Sequence, residues 1–175
     1  MSGLVLTTER LELWRPQASD LDGLNAINTD PRTLTYLGAW SPSRADTFAR
    51  LTRNAGSWAL WGYGTFMVRQ RGQSRIIANI GVFRSYRGFA HGLDDVPEAG
   101  WIVHPDFWGK GIASEAMQAV MPWFDEVHGR QRVACMIETG HAASERVAAM
   151  LGFVEYARHQ QPGERPLVLY ERTPA

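Results

Sequence analysis

The sequence predicts a mixed α/β fold in which helices interleave with the strands of one sheet, and three observations carry that prediction. Helical spacing dominates the first 60 residues, and from Gly64 the hydrophobic pattern switches to strand-like alternation. A strand then runs into a glycine turn that opens a helix, between Glu98 and His128. Last, the apolar run Arg132 to Glu138 reads as a buried strand, followed by a helix and two further strands.

Leu4 to Pro16 alternates through Leu6, Leu11 and Leu13 and reads as one strand ended by Pro16. Ser19-Asp20 caps a short helix carrying Leu21, Leu24 and Ile27, closed by Asn28 to Pro31. Thr33 to Gly38 adds a helical turn, and Ser41-Pro42 starts a helix with Ala45, Phe48, Ala49 and Leu51 at helical spacing. Thr65 to Gln70 and Arg75 to Arg84 form a hairpin around Arg71-Gly72-Gln73-Ser74. Ser85 to Pro97 is a loop long enough to suggest function.

Glu98 to Val103 is the next strand. Ile112 to His128 then places Ile112, Ala116, Met117, Val120, Phe124 and Val127 on one helix face, with Pro122 expected to kink or split it. Ala142 to Leu151 is a helix stopped by Gly152. Phe153 to Arg158 and Pro166 to Arg172 are the last strands, joined by the loop Gln160 to Arg165.

At 175 residues the chain fits a single domain, 1–175, large enough to bury a core. Its formal net charge is zero, so the cationic footprint of a nucleic-acid binder is missing. Cys135 is the single cysteine, which excludes a disulfide framework and a thiolate metal site and fits a reducing cytoplasm. No apolar run approaches the roughly 18 residues of a membrane span, and no basic-then-apolar signal precedes the first strand. The expectation is a cytoplasmic protein with neither membrane nor nucleic-acid partner.

The run His104-Pro-Asp-Phe-Trp-Gly-Lys-Gly-Ile-Ala-Ser-Glu-Ala116 carries the chemistry. Glycines at 109 and 111 let the backbone approach a ligand, and the unpaired N–H groups of a helix's first turn attract anions. The same glycines also suit a plain strand-to-helix turn. A Walker-type loop fails because Gly111, not Ser or Thr, follows Lys110. A dinucleotide fingerprint fails because Ser114 stands where its third glycine belongs, and Gly129-Arg-Gln-Arg132 occupies the place of its acidic residue.

With these residues in view, the chain resembles the GCN5-related N-acetyltransferases (GNAT), and within them the RimJ/RimL-like branch that acetylates ribosomal-protein N-termini. Separated segments carry the likeness: Thr8 to Leu13 with Arg15-Pro16, Glu98 to Ala116, His141 to Val147, and Met150 to Phe153. The resemblance implies a mixed, mostly antiparallel sheet of about seven strands flanked by about four helices, splayed between the strands at 98–103 and 132–138. It implies that acetyl-CoA places its pyrophosphate on Trp108, Gly109, Lys110, Gly111, Ile112 and Ala113, with Trp108 at the family's Gln/Arg position. Trp101, Ile102 and Val103 would offer main-chain groups to pantetheine.

Further on, the family's Asn-x-x-Ser becomes His141 and Ser144, and its frequent tyrosine acid aligns with Ala148. His141 then either contacts pantetheine or is a solvent-facing helix start. Ser144, or water, would protonate the departing thiolate, with a plain helix-start hydrogen-bonder as the alternative reading of Ser144. Glu98 is the expected base for the acceptor amine, with a solvent-exposed strand-edge carboxylate as the plain alternative; Asp94, Asp95 and His91 are the other base candidates. A backbone N–H near Ile102 would stabilise the oxyanion. Trp58, Trp61, Tyr63, Phe83, Tyr86 and Phe89 read mostly as core, with a subset on the Ser85 to Pro97 loop able to line an amine pocket. The implied reaction is direct acetyl transfer to a primary amine, a protein N-terminus or a small molecule, by a monomer or homodimer. The competing readings are a non-catalytic acyl-CoA-binding sensor and a structural domain without a ligand.

Overall fold

The computed structural model describes residues 3–37, 41–160 and 162–174. Within them the strands are β1 (Leu4–Thr7), β2 (Leu11–Trp14), β3 (Thr65–Gln70), β4 (Ile76–Arg84), β5 (Pro97–Val103), β6 (Val133–Glu138), β7 (Val154–His159) and β8 (Leu167–Arg172). They form one sheet in the order β1-β2-β3-β4-β5-β6-β8-β7. Only β5 and β6 run parallel. The α-helices are α1 (Leu21–Thr29), α2 (Pro31–Leu34), α3 (Arg44–Trp61), α4 (Ile112–His128) and α5 (Ala142–Met150). Gly38 and Gln161, part of two expected elements, lie outside the described residues.

The eighth strand comes from the first segment, which is a hairpin and not one strand. Thr8 N–H donates to the Leu11 carbonyl at 2.9 Å and Leu11 N–H donates to Thr8 Oγ1 at 3.0 Å, so the chain reverses over Glu9 and Arg10. The turn contains neither glycine nor proline, and alternation continues through both arms, which hides the reversal. A partner on α4 completes it. Thr8 Oγ1 donates to Glu115 Oε1 at 2.5 Å, and Arg10 pairs with the same carboxylate at 2.5 Å.

Alternation along the strands splits the core in two. On one face Leu11, Leu13, Phe66, Val68 and Ile80 pack with Met117, Val120 and Phe124 of α4. Met67 and Ile76 meet Leu24 and Ile27 of α1 and Leu51 of α3 in a second cluster. The sheet is therefore covered on both faces, and burying each of these large side chains contributes about 1.5–3 kcal/mol.

Two helices differ from expectation in informative ways. Helix α3 starts at Arg44, because Ser43 and Asp46 cap each other's backbone N–H in a reciprocal box that outweighs Pro42 as a start signal. Its inward face is Thr47, Leu51, Asn54 and Trp58, leaving Ala45, Phe48 and Ala49 exposed. Helix α4 runs through Pro122 without splitting. Pro122 is exposed, and buried Val120, Met121 and Phe124 hold the helix around it, so the lost bond to residue 118 is carried by packing. Met121 replaces Val127, which is 56% exposed, on that apolar face.

Strands β5 and β6 share a single register pair, Glu98 with Ala134. Beyond it β6 pairs along its whole length with β8. The two parallel strands therefore diverge, opening the expected gap on the β6 side of β5.

Candidate active site

The gap widens into a cleft of about 1370 Å³ lined by β5, the turn into α4, the start of α5 and one side of α3. Strand β5 determines which main-chain groups it offers. The His104 N–H donates to the Ile77 carbonyl at 2.8 Å, in register with the unbroken β4–β5 ladder. Bonded pairs alternate with non-bonded ones in an antiparallel ladder, so the groups of Ile102 are spent on Asn79. Those of Trp101 and Val103 face the gap. Of the three expected residues, these two are the ones able to bond a ligand, and an oxyanion donor on β5 is correspondingly Trp101 N–H and not Ile102 N–H. Trp108 Nε1 donates to the Val103 carbonyl at 2.8 Å, which holds the indole against the strand and leaves the Val103 N–H for a ligand.

The turn is built for close approach. Gly109 and Gly111 have φ of +72° and +73°, a region that suits glycine, and a Cβ on Gly109 would meet nothing within 4 Å. Gly111 caps α4 with no side-chain bond, so the N–H groups of the first turn are left for an anion. Arg10 Nη1 donates to the Lys110 carbonyl at 3.0 Å and fixes the loop from outside. Burial opposes ionisation of Glu115, but the hydrogen bonds from Thr8 and Arg10 prevail and hold its carboxyl below the ordinary range. The Lys110 side chain folds back, with Nζ donating to the Asp106 carbonyl at 2.9 Å and lying 4.9 Å from the Phe107 ring centre, and it does not line the cleft.

At the start of α5, His141 Nδ1 accepts from Ser144 N–H at 3.0 Å. Nδ1 is therefore unprotonated, and burial pushes the imidazole pKa down, so the neutral ring carries its proton on Nε2. His141 is the N-cap of α5, its ring packed edge-on against Tyr36 at 4.1 Å, and it lines the cleft instead of facing bulk solvent. Trp101 Nε1 donates to Ser144 Oγ at 3.2 Å, which leaves the hydroxyl hydrogen without an acceptor among the described residues. Ala148, at the tyrosine position, is fully buried.

Glu98 lies at the narrow end of the gap and is 3% exposed. Its Oε2 accepts from Ser85 Oγ at 2.6 Å and Arg87 Nε at 2.9 Å, and its Oε1 from Arg87 Nη2 at 2.7 Å. It is thus a clamped carboxylate inside the cleft, not an exposed strand-edge group. The other base candidates lie elsewhere. Asp94 caps the N–H groups of Arg87 and Gly88, Asp95 pairs with Arg84, His91 packs toward His159, and none of the three lines the cleft.

A family model for the acetyltransferase (GNAT) domain matches residues 10–154, a span holding the gap, the glycine turn, Glu98 and Ser144. The chain belongs to the GNAT acetyltransferase family. A GNAT-family acetyltransferase structure from Bordetella pertussis is 31% identical with a TM-score of 0.86, covering 97% of this chain and 99% of that one. The uncharacterized N-acetyltransferase YnaD of Bacillus subtilis is 26% identical over 147 residues, 84% of this chain and 81% of its own length. The L-amino acid N-acyltransferase MnaT of Escherichia coli is 31% identical over 108 residues, 61% of this chain and 59% of its own. This GNAT chain is an acetyl-CoA-dependent acyltransferase, and the open turn and the unpaired groups of β5 fit a pyrophosphate followed by an amide-bearing arm. No helix among the described residues is long and apolar enough to cross a membrane.

Several cleft residues of this GNAT domain left no signal in the sequence. Tyr36, Arg50, Arg53 and Glu138 reach the cleft from elements that read as ordinary surface or core. Among the aromatic residues, Trp58 and Tyr63 are core, Phe83 and Phe89 line the cleft, and Trp61 and Tyr86 are exposed.

Proposed function

We propose that this enzyme, acting as one domain over residues 1–175, moves the acetyl group of acetyl-CoA directly to a primary α-amine within a ternary complex. The observation that carries this reading is the meeting of Glu98, Trp101 and Ser144 on one gap that continues to the glycine turn. The cleft exceeds the roughly 300–1,000 Å³ of a single small-molecule site, which supports two substrates bound together. The acceptor is either a protein N-terminus, as the RimJ/RimL-like segments suggest, or a small-molecule amine such as the relative MnaT acts on.

Acetyl-CoA supplies the acetyl group as a thioester, and the residues supply positioning and proton management. An α-amine, with pKa near 8, arrives largely as ammonium at neutral pH. Glu98 takes its proton, using the lone pairs that the Arg87 fork and Ser85 leave open, directly or through one water. The Trp101 N–H, facing the gap, stabilises the negative charge developing on the carbonyl oxygen. His141 Nε2–H donates to the pantetheine arm, and Ser144 Oγ, held by Trp101, relays a proton from solvent water to the leaving sulfur, regaining its own from that water, while Glu98 passes the amine proton back to solvent. Because a thiol of pKa around 8.5 leaves without strong acid help, Ser144→Ala costs about tenfold or less in kcat, measured as CoA release. A loss exceeding that of Glu98→Gln, with acetyl-CoA affinity retained, contradicts the ordering.

A covalent acyl-enzyme would need an activated nucleophile, and the chain's single thiol is out of reach. Cys135 is 1% exposed on β6, and burial, with the negative charge of Glu98 adding to it, pushes its thiol well above the usual range. With acetyl-CoA and α-amines both varied, initial-rate lines intersect and Cys135→Ala keeps the rate within about threefold. Parallel lines overturn direct transfer. Absence of turnover across an amine panel, with acetyl-CoA bound, supports a non-catalytic sensor instead.

A further inference from the structure

The structure assigns a carboxylate-binding subsite to the acceptor end of the cleft, formed by Arg50 and Arg53 of α3 beside the Arg87–Glu98 pair, and we propose that the acceptor is an amine that itself carries a carboxylate. Arg50, Arg53, Asn54 and Ser57 recur at the three- and four-residue spacing of one helix face, and all four line the cleft. Arg87 is committed to Glu98 through two parallel bonds. Arg53 has no anionic partner among the described residues. Burial first, then repulsion from Arg53 and Arg87, lowers the Arg50 guanidinium pKa to about 10, while Glu98 acts in the opposite sense. Arg50 and Arg53 therefore line the cleft within electrostatic reach of a carboxylate that Arg87 already balances.

The Arg87–Glu98 pair, whose charges act on Arg50, lies away from the expected site of the cofactor's pyrophosphate. Glu98 is near the start of β5 and Val103 ends it beside the glycine turn. At about 3.3 Å per residue the two lie roughly 17 Å apart. The pyrophosphate site has its own donors at the far end. An ammonium with a neutral tail finds Glu98 already bonded to Arg87 and offers nothing to the Arg53 guanidinium. An amine that brings a carboxylate arrives neutral overall and presents the planar acceptor that an arginine fork binds best. The nearby guanidinium groups favour the neutral amine over the ammonium and so help Glu98 release the nucleophile.

The proposal rests on the α-amine transferase reading above, and its test separates the two. Matched acceptors are compared: a free amino acid against its amide, and an amidated peptide with Asp at its second position against the Asn peptide. In the wild type the carboxylate member of at least one pair has a KM lower by about tenfold, the factor expected of one charge-assisted hydrogen bond. Which pair shows it distinguishes a free amino acid from an acidic N-terminus. Arg53→Gln, and Arg50→Gln if it folds, shrinks that ratio below about threefold through the KM of the carboxylate member. Equal KM values within both wild-type pairs, an Arg53→Gln effect equal on both members, or a parallel loss of acetyl-CoA affinity overturns the subsite. Calorimetry on CoA-saturated protein gives the answer without turnover. Carboxylate acceptors that bind the wild type and not Arg53→Gln support the subsite even where no acetyl transfer occurs, a result that sinks the transferase reading alone. No binding of either carboxylate acceptor to the CoA-saturated wild type overturns the subsite.

Discussion

Glu98→Gln lowers kcat by on the order of a hundredfold or more while acetyl-CoA affinity stays near the wild-type value, as expected for removal of a positioned base. Gln keeps the size of the side chain and can still bond Ser85, but it cannot accept a proton from the amine. It also leaves Arg87 without its anion. Because the Arg87 side chain is about one-third exposed, at 32%, water replaces part of what is lost. The stability cost is therefore about 1–3 kcal/mol, read as a lower melting temperature without loss of fold. A control for the chemistry lies in the substrate: above pH ~8 the α-amine deprotonates in solution, so the defect narrows as pH rises. A merely structural role predicts a defect that does not narrow. An unchanged kcat moves the base role to Glu138, the other buried carboxylate on the cleft, which Arg165 approaches at 3.1 Å.

What was legible in the sequence is what depends on local backbone chemistry. Gly109 and Gly111 announce a turn because their φ values are ones other residues avoid, and the change of period at Gly64 marks the start of the β3–β4 hairpin. The β5–β6 gap came from resemblance, since nothing in either strand's pattern shows that they share one register pair. The β1–β2 reversal was hidden because its stabilising partner, Glu115, is more than a hundred residues away in sequence. Arg50 and Arg53 drew no notice beside the apolar residues of their helix, and their place on the cleft appears only when α3 is set beside β5. At Lys110 the sequence names a residue of the turn without telling backbone from side chain: Phe107 and the Asp106 carbonyl hold its side chain away, so any contact with an anion falls to its backbone.

Gly109→Val raises the acetyl-CoA Kd by at least about tenfold, and Gly72→Val provides the comparison that interprets it. Both glycines have left-handed backbone, φ +72° and +70°, and neither has an atom within 4 Å of the place where a Cβ would stand. A β-branched residue at either position carries similar strain, about 1–3 kcal/mol, so both variants lose comparable stability. They differ in what the open space is for. Gly72 lies in the turn between β3 and β4 and does not line the cleft, whereas Gly109 does, where the new methyl groups occupy the approach to the first-turn N–H groups of α4. Isothermal titration with acetyl-CoA accordingly shows weakened binding for Gly109→Val and wild-type affinity for Gly72→Val. Wild-type affinity in folded Gly109→Val would remove the turn from the cofactor site. Equal losses in both variants would assign the effect to backbone strain instead of a blocked approach.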